Sequence, residues 1–246
     1  MLLKLERVTK SFGGVTAVRA VDLTLAEGEI LGLIGSNGAG KTTLFNLITG
    51  FYRSDGGRVF FKDQDITGLG PADRCKRGIA RTFQLVRPFQ NMTLGENVAV
   101  GCIYGRLPAA SRRQAEKQAR EMLEMVGLAD QFDAPAHNLA LMNRKRLELA
   151  RALATRPYLL LLDEFLAGLN PSEVHTAMEL IQRLRASQIT IILVEHLVEA
   201  VFGISDRVMV LNVGEKIAEG TPAQVASEER VIDAYLGHGL RAHVGN

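Results

Sequence analysis

Short alternating runs and continuous apolar runs divide the chain into strand-like and helix-like segments. Segments 2–8, 20–25, 30–34 and 58–62 have the length and composition of strands, with turn signals at Gly13-Gly14, Glu27-Gly28 and Asp55-Gly56-Gly57 between them. One helical segment, 41–49 closed by Gly50, interrupts this first third. Segment 85–155 reads as almost wholly helical. Thr93 with Glu96 and Ser111 with Gln114 have capping-box spacing, and Gly127 suits a left-handed helix terminus. Between the last two, Ala119, Met122, Leu123 and Val126 recur at helical spacing, which predicts an amphipathic surface helix. A buried strand at 159–162 follows, then a helix opened by Asn170-Pro171 and running to about Ala186, then a buried strand at 189–194. The tail adds strands near 208–211 and 215–218 and a short helix at 231–236. The pattern predicts an α/β fold in which an antiparallel β portion is joined to a helix-covered core and a helical subdomain is inserted.

Bulk properties narrow the functional classes. With 246 residues, 47% hydrophobic and 23% charged, the chain is long enough for one large α/β domain and too apolar for a disordered tail protein. Its longest apolar runs, 158–162 and 190–194, fall far short of the ~20 residues that cross a bilayer. The opening Met1-Leu2-Leu3-Lys4-Leu5-Glu6 lacks the pattern of a secretory signal, so the expected location is the cytosol. Cys75 and Cys102 cannot make a disulfide framework and are read as packed, reduced thiols. A net charge of +2 gives no reason to expect a nucleic-acid partner. Arg112-Arg113 and Arg144-Lys145-Arg146 are read as solvated helix faces, since no aromatics or wider basic field back them.

Among the 24 glycines, one group carries chemistry. Gly35-Ser36-Asn37-Gly38-Ala39-Gly40-Lys41-Thr42 matches the eight-residue P-loop pattern and lies between an apolar strand and a helix. Such glycines let consecutive N–H groups and a helix N-terminus face phosphate oxygens. Lys41 is expected to reach the β- and γ-phosphates, Thr42 to hold Mg²⁺, and Thr43 to bond the α-phosphate. The run Leu159-Leu160-Leu161-Leu162-Asp163-Glu164 supplies the acidic strand end such a site needs, with Asp163 toward Mg²⁺ and Glu164 orienting or deprotonating a water. His196 follows a buried strand at the carboxyl end, where α/β sheets bind ligands. It is read either as a γ-phosphate contact or as a solvated loop residue.

Taken in order, these residues resemble the ATP-binding subunits of ABC transporters over nearly the whole chain. The resemblance implies a P-loop ABC ATPase core with an antiparallel β subdomain (1–84), a helical subdomain (85–155) and a core continuation with a C-terminal tail (156–246), within one ATP-binding domain. It implies MgATP as ligand, held by Asn37, Gly38, Ala39, Gly40, Lys41, Thr42 and Thr43, with Phe12 stacking on adenine and Val18 in apolar contact with the nucleoside. Gln84, in Arg81-Thr82-Phe83-Gln84, matches the glutamine loop that senses Mg²⁺ and γ-phosphate. Asn170 closes Ala167-Gly168-Leu169-Asn170, similar to the loop that crosses the family's dimer interface, where Asp is commoner.

Within the family, the sequence is most similar to the subunits that power branched-chain amino acid importers. The carriers are 81–89, 91–98, 167–171, 203–207 and the ending 231–237. The resemblance leaves open related importers of amides, urea or polar amino acids and a lipopolysaccharide-export ATPase of similar sequence. The implied partners are a second ATP-binding subunit, transmembrane permease subunits and, indirectly, a solute-binding protein, which places the chain at the cytoplasmic membrane face. Leu85, Val86, Pro88, Phe89 and Met92 form an apolar run where such subunits receive a permease helix; core packing is the other reading.

One motif departs from the family. The Leu-Ser-Gly-Gly-Gln-like signature that contacts the partner's γ-phosphate reads here Leu139-Ala140-Leu141-Met142-Asn143. Its serine hydroxyl and both glycines are missing. Three readings follow: paired with a different cassette, the chain supplies a weakened signature to its partner's site while keeping a competent set of its own; in a homodimer both sites are weakened; or the chain is a regulatory nucleotide-binding subunit with little turnover.

Overall fold

The computed structural model describes residues 1–84 and 87–232. In chain order the elements are β1 (Leu3–Phe12), β2 (Val15–Leu25), β3 (Ile30–Ile34), α1 (Lys41–Thr49), β4 (Gly56–Phe61) and β5 (Gln64–Asp65), followed by α2 (Pro71–Arg77), β6 (Ile79–Arg81), α3 (Leu94–Tyr104), α4 (Arg112–Met125), α5 (Leu141–Ala154), β7 (Leu159–Asp163) and α6 (Pro171–Ala186). The chain continues with β8 (Thr190–Val194), α7 (Val198–Ile204), β9 (Arg207–Asn212), β10 (Glu215–Gly220), α8 (Pro222–Ala226) and α9 (Glu229–Val231). They form two compact units, one from Met1–Gly70 with Thr190 onward and one from Pro71–Ile189.

The first unit contains the antiparallel sheet, in the order β2-β1-β4-β5. Alternation sets its register: Leu3 lies between Leu25 and Phe61, and Leu5 between Leu23 and Val59, all buried. Register shifts break β1 and β2 near Arg7 and Ala20, both at positive φ. The Asp22 carboxylate accepts the Arg7 N–H at 2.8 Å, and the Thr9 hydroxyl accepts the Ala20 N–H at 3.0 Å, so the bulged amides keep partners. The same unit holds the order β10-β9-β3-β8. β3 runs parallel to both β8 and β9, and all three strands are almost wholly buried, which is why their sequences are continuous apolar runs.

The second unit pairs β6 with β7 in parallel, Ile79 opposite Leu159 and Arg81 opposite Leu161. Helices α3, α4 and α5 pack together. Ala115, Ala119, Met122 and Leu123 are the buried stripe of α4, and Val126 at its C-cap is also buried. Gly101 lets α3 approach α5 closely: a Cβ there would lie 2.6 Å from the Arg151 carbonyl oxygen. The capping box at Thr93/Glu96 forms in full. At Ser111 the hydroxyl accepts the Gln114 N–H, whereas the Gln114 side chain turns to the Ala110 N–H.

Two readings of the sequence are extended. Helix α2 was not marked by any periodicity, since seven residues span barely two turns. The segment after β8 contains α7, also short. The expected helix at 231–236 lies largely outside the described residues, as do Leu85 and Val86.

Candidate nucleotide site

In the first unit, β3 ends at Ile34 and α1 begins at Lys41, so the P-loop is the turn between a buried parallel strand and a helix. Gly40 is the N-cap of α1 at φ 104°, a conformation that glycine alone adopts at little cost, and a Cβ there would stand 2.3 Å from the Ala17 carbonyl oxygen. Lys41 is buried, and its ammonium donates to the carbonyls of Gly35 at 2.7 Å and Ser36 at 3.0 Å. Those bonds curl the loop around the lysine. No side chain caps α1 and no acidic residue sits in its first turn, so the residues of this helix end offer N–H groups and a positive dipole to an anion. Thr42 is exposed at this end, Thr43 half-buried, Asn37 and Gly38 exposed, and Ala39 buried.

His196 follows β8, whose Val194 lies opposite Leu33, so the imidazole and the P-loop leave the same edge of the sheet. It is exposed, next to a buried Glu195. Phe12 ends β1 with 44% of its surface exposed, edge-on to Tyr52 at 5.2 Å between ring centroids, with the Lys10 ammonium 5.4 Å away. Val18 is buried within the same unit.

In the second unit, the β6–β7 register brings Thr82 and Asp163 together. The Thr82 N–H donates to the Leu161 carbonyl at 2.9 Å, and the Asp163 N–H to the Thr82 hydroxyl at 3.2 Å. Asp163 and Arg81, 5% and 8% exposed, form an ion pair at 2.9 Å. Burial pulls the Arg81 guanidinium below its usual value, and the Asp163 charge opposes that. The Gln84 amide donates to the Glu164 carboxylate at 2.7 Å, while the Lys145 ammonium donates to the Glu164 carbonyl at 2.9 Å. Glu164 itself is left-handed at φ 51°, an uncommon state for a residue with a Cβ, and these two bonds hold it there. Within this unit the structure brings Asp163, Glu164 and Gln84 together.

The altered signature opens α5. Ala140 is the N-cap and makes no side-chain cap bond. Leu141 is 46% exposed, with its Cδ2 near Gly168, and Met142 is buried. Arg144 turns back to the Leu139 carbonyl at 2.6 Å. Lys145, read from the sequence as part of a solvated face, is instead 6% exposed, because it points toward Glu164. Arg112 and Arg113 are exposed as expected, Arg112 pairing with Glu116.

Comparison with known proteins decides the family. The family described as ABC transporter matches residues 18–167, and that of the branched-chain amino acid ATP-binding cassette transporter matches residues 215–240. The chain belongs to the ABC transporter ATP-binding family. It is 44% identical to the high-affinity branched-chain amino acid transport ATP-binding protein LivG of Escherichia coli (strain K12), over 96% of this chain and 98% of that protein. It is 40% identical to BraF of Pseudomonas aeruginosa, with the same shares covered. Among solved structures, the ADP conformation of MJ1267, an ATP-binding cassette of an ABC transporter, superposes with a TM-score of 0.86 at 34% identity, covering 96% of this chain and 98% of that one. The expected α/β class with its P-loop ABC ATPase core is thereby shown.

In the first unit a curled loop, a buried lysine and an uncapped helix end suit the phosphates of a nucleotide. Thr42 of that unit, and Asp163 and Glu164 of the second, each carry the oxygen donors that a hard divalent cation takes. Sequence reading missed Arg81, and also Glu148, whose carboxylate accepts the Phe83 N–H at 2.6 Å. Arg81 stood within a quoted motif without a role, and its one signal was a cation three residues ahead of the glutamine. Among the described residues no helix is long and apolar enough to cross a membrane.

Proposed function

We propose that the chain hydrolyses ATP to drive an importer of branched-chain or related amino acids, working at the cytoplasmic membrane face with a second ATP-binding subunit, transmembrane permease subunits and a solute-binding protein. The observation that carries the hydrolytic reading is the Gln84–Glu164 contact at 2.7 Å, which orients a strained catalytic carboxylate beside the end of β7. The match at residues 215–240 and the names of the relatives carry the substrate class.

In this reading the N–H groups of residues 37–43 and the Lys41 ammonium bind the phosphates, and Phe12 stacks on the base. Val18, expected in apolar contact with the nucleoside, is wholly buried in β2 and has no surface to offer it. Thr42, Asp163 and Gln84 would hold Mg²⁺, which supplies charge neutralisation on the β- and γ-phosphoryl oxygens. Glu164 orients a water and takes its proton as the new O–P bond forms and the bond from the γ-phosphorus to the ADP oxygen breaks. His196 donates to the γ-phosphoryl group.

Replacing Glu164 with Gln in the assembled transporter should lower ATP turnover by about 100-fold or more while ATP binding persists. Unchanged turnover would overturn the assignment of the base. Loss of the chain should abolish uptake of leucine, isoleucine and valine by cells; retained uptake would overturn the substrate class. A regulatory subunit with slow turnover is the second reading, favoured by the N-cap Ala140 that lacks any side-chain bond. It predicts that Glu164→Gln changes nothing.

A further inference from the structure

Lys145, Glu148 and Arg151 stand three residues apart on α5 and so follow one i±3 ridge of the helix. Each reaches a backbone atom in a segment that carries a proposed catalytic side chain. The Lys145 ammonium donates to the Glu164 carbonyl at 2.9 Å. The Glu148 carboxylate accepts the Phe83 N–H at 2.6 Å, one residue before Gln84. Arg151 donates to the Arg87 carbonyl at 3.0 Å, three residues after Gln84, and its guanidinium lies 4.8 Å from the centre of the Phe89 ring. Gln84 in turn holds the Glu164 carboxylate.

Charge on this ridge is costly. Lys145 and Glu148 are 6% and 7% exposed, and aliphatic side chains would pack such a helix without removing ions from water. What the charged groups add is direction: each makes a hydrogen bond to one backbone atom, which an aliphatic side chain cannot do. The points they fix are on both sides of Gln84 and at the strained Glu164 peptide.

The geometry points to Lys145, Glu148 and Arg151 as positioning residues, a ridge on the signature helix that sets the backbone around Gln84 and Glu164 and so keeps the glutamine–glutamate contact in register. The inference rests on the hydrolytic reading for its consequence, and on the contacts alone for its geometry.

The test uses the full chain assembled with its partner subunits and compares Glu148→Ala, Glu148→Gln and Arg151→Met. Glu148→Ala leaves the Phe83 N–H without its acceptor; Glu148→Gln keeps an acceptor oxygen in place. The alanine variant should lower kcat about tenfold or more, hold the Kd for ATP within about twofold, and speed amide exchange at Phe83 about tenfold, with the glutamine variant recovering to within about threefold in each. Arg151→Met should speed exchange in the peptide containing Arg87, and this variant decides the question if Glu148→Ala does not fold. Slow exchange at Phe83 in the alanine variant, or equal loss of kcat in alanine and glutamine variants, would overturn the ridge. Absence of ATP turnover in the unaltered complex would overturn the hydrolytic reading instead, and the exchange pattern would still decide the geometry.

Discussion

Glu148 is a carboxyl group whose charge is set by its surroundings. Burial pushes its pKa from the usual 4.5 up to about 7, although the Phe83 N–H, Arg151, Lys145 and Arg81 all pull the other way. The folded state therefore holds this proton more tightly than the unfolded chain does. Its contribution to stability is complete below pH 4.5, declines as pH rises, and is gone above about 7. The decline is at most about 3 kcal/mol across that window. Equilibrium denaturation of the chain between pH 5 and 8 should show the fall, and Glu148→Gln, which carries no proton to lose, should flatten it. A slope that survives the substitution would assign the pH dependence to another group. Arg81 and Asp163 show a different outcome of burial. Each removes the other's isolation, so both ions are kept at less than a tenth exposure.

At the scale of elements, the turn entering α3 depends on one side chain. Asn97 is fully buried in the first turn of that helix; its amide oxygen accepts the Phe89 N–H at 2.8 Å, and its NH₂ donates to the carbonyls of Phe89 at 3.0 Å and Thr93 at 2.9 Å. Asn97→Ala should cost about 1–2 kcal/mol, because the Phe89 N–H loses its acceptor while the Phe89 and Thr93 carbonyls keep the Met92 and Asn97 N–H donors. The urea midpoint measures this, and a cost near zero would mean that water takes over the bonds. What was legible in the sequence followed the same logic of local against distant partners. The capping box at Thr93/Glu96 and the helix start at Asn170-Pro171 were readable because each signal lies within a few residues of the helix end it marks. The P-loop was readable because its glycines and flanking elements are contiguous. Lys145 and Glu148 were not, since a charge on a helix gains its meaning from Glu164 and Phe83, 19 and 65 residues away. Strand β6, three residues long, left no period to detect.

For the whole molecule, the proposed roles of the P-loop, Asp163, Glu164 and Gln84, set beside an altered signature, predict unequal ATP sites if the partner is a different cassette. In a pair of different cassettes, each site joins one subunit's P-loop to the other's signature, so Ala140–Met142 would weaken the partner's site and leave this chain's own intact. Ala140 offers a clean way to test that. As the N-cap of α5 it has extended backbone, φ −60° and ψ 159°, and no side-chain bond. A serine there would accept an N–H of the first turn while its own hydroxyl proton could donate to a phosphoryl oxygen across the dimer. Capping alone should stabilise the chain by about 1 kcal/mol, or roughly 2–4 °C in Tm. If the hydroxyl also reaches the partner's nucleotide, the complex should gain ATP turnover by about tenfold, the worth of one charge-assisted hydrogen bond. The gain should vanish when the partner's catalytic carboxylate is changed to its amide and persist when Glu164 is. A rise in Tm without any gain in turnover would show that this helix end contributes structure and no catalysis, and the unequal-site reading would fall.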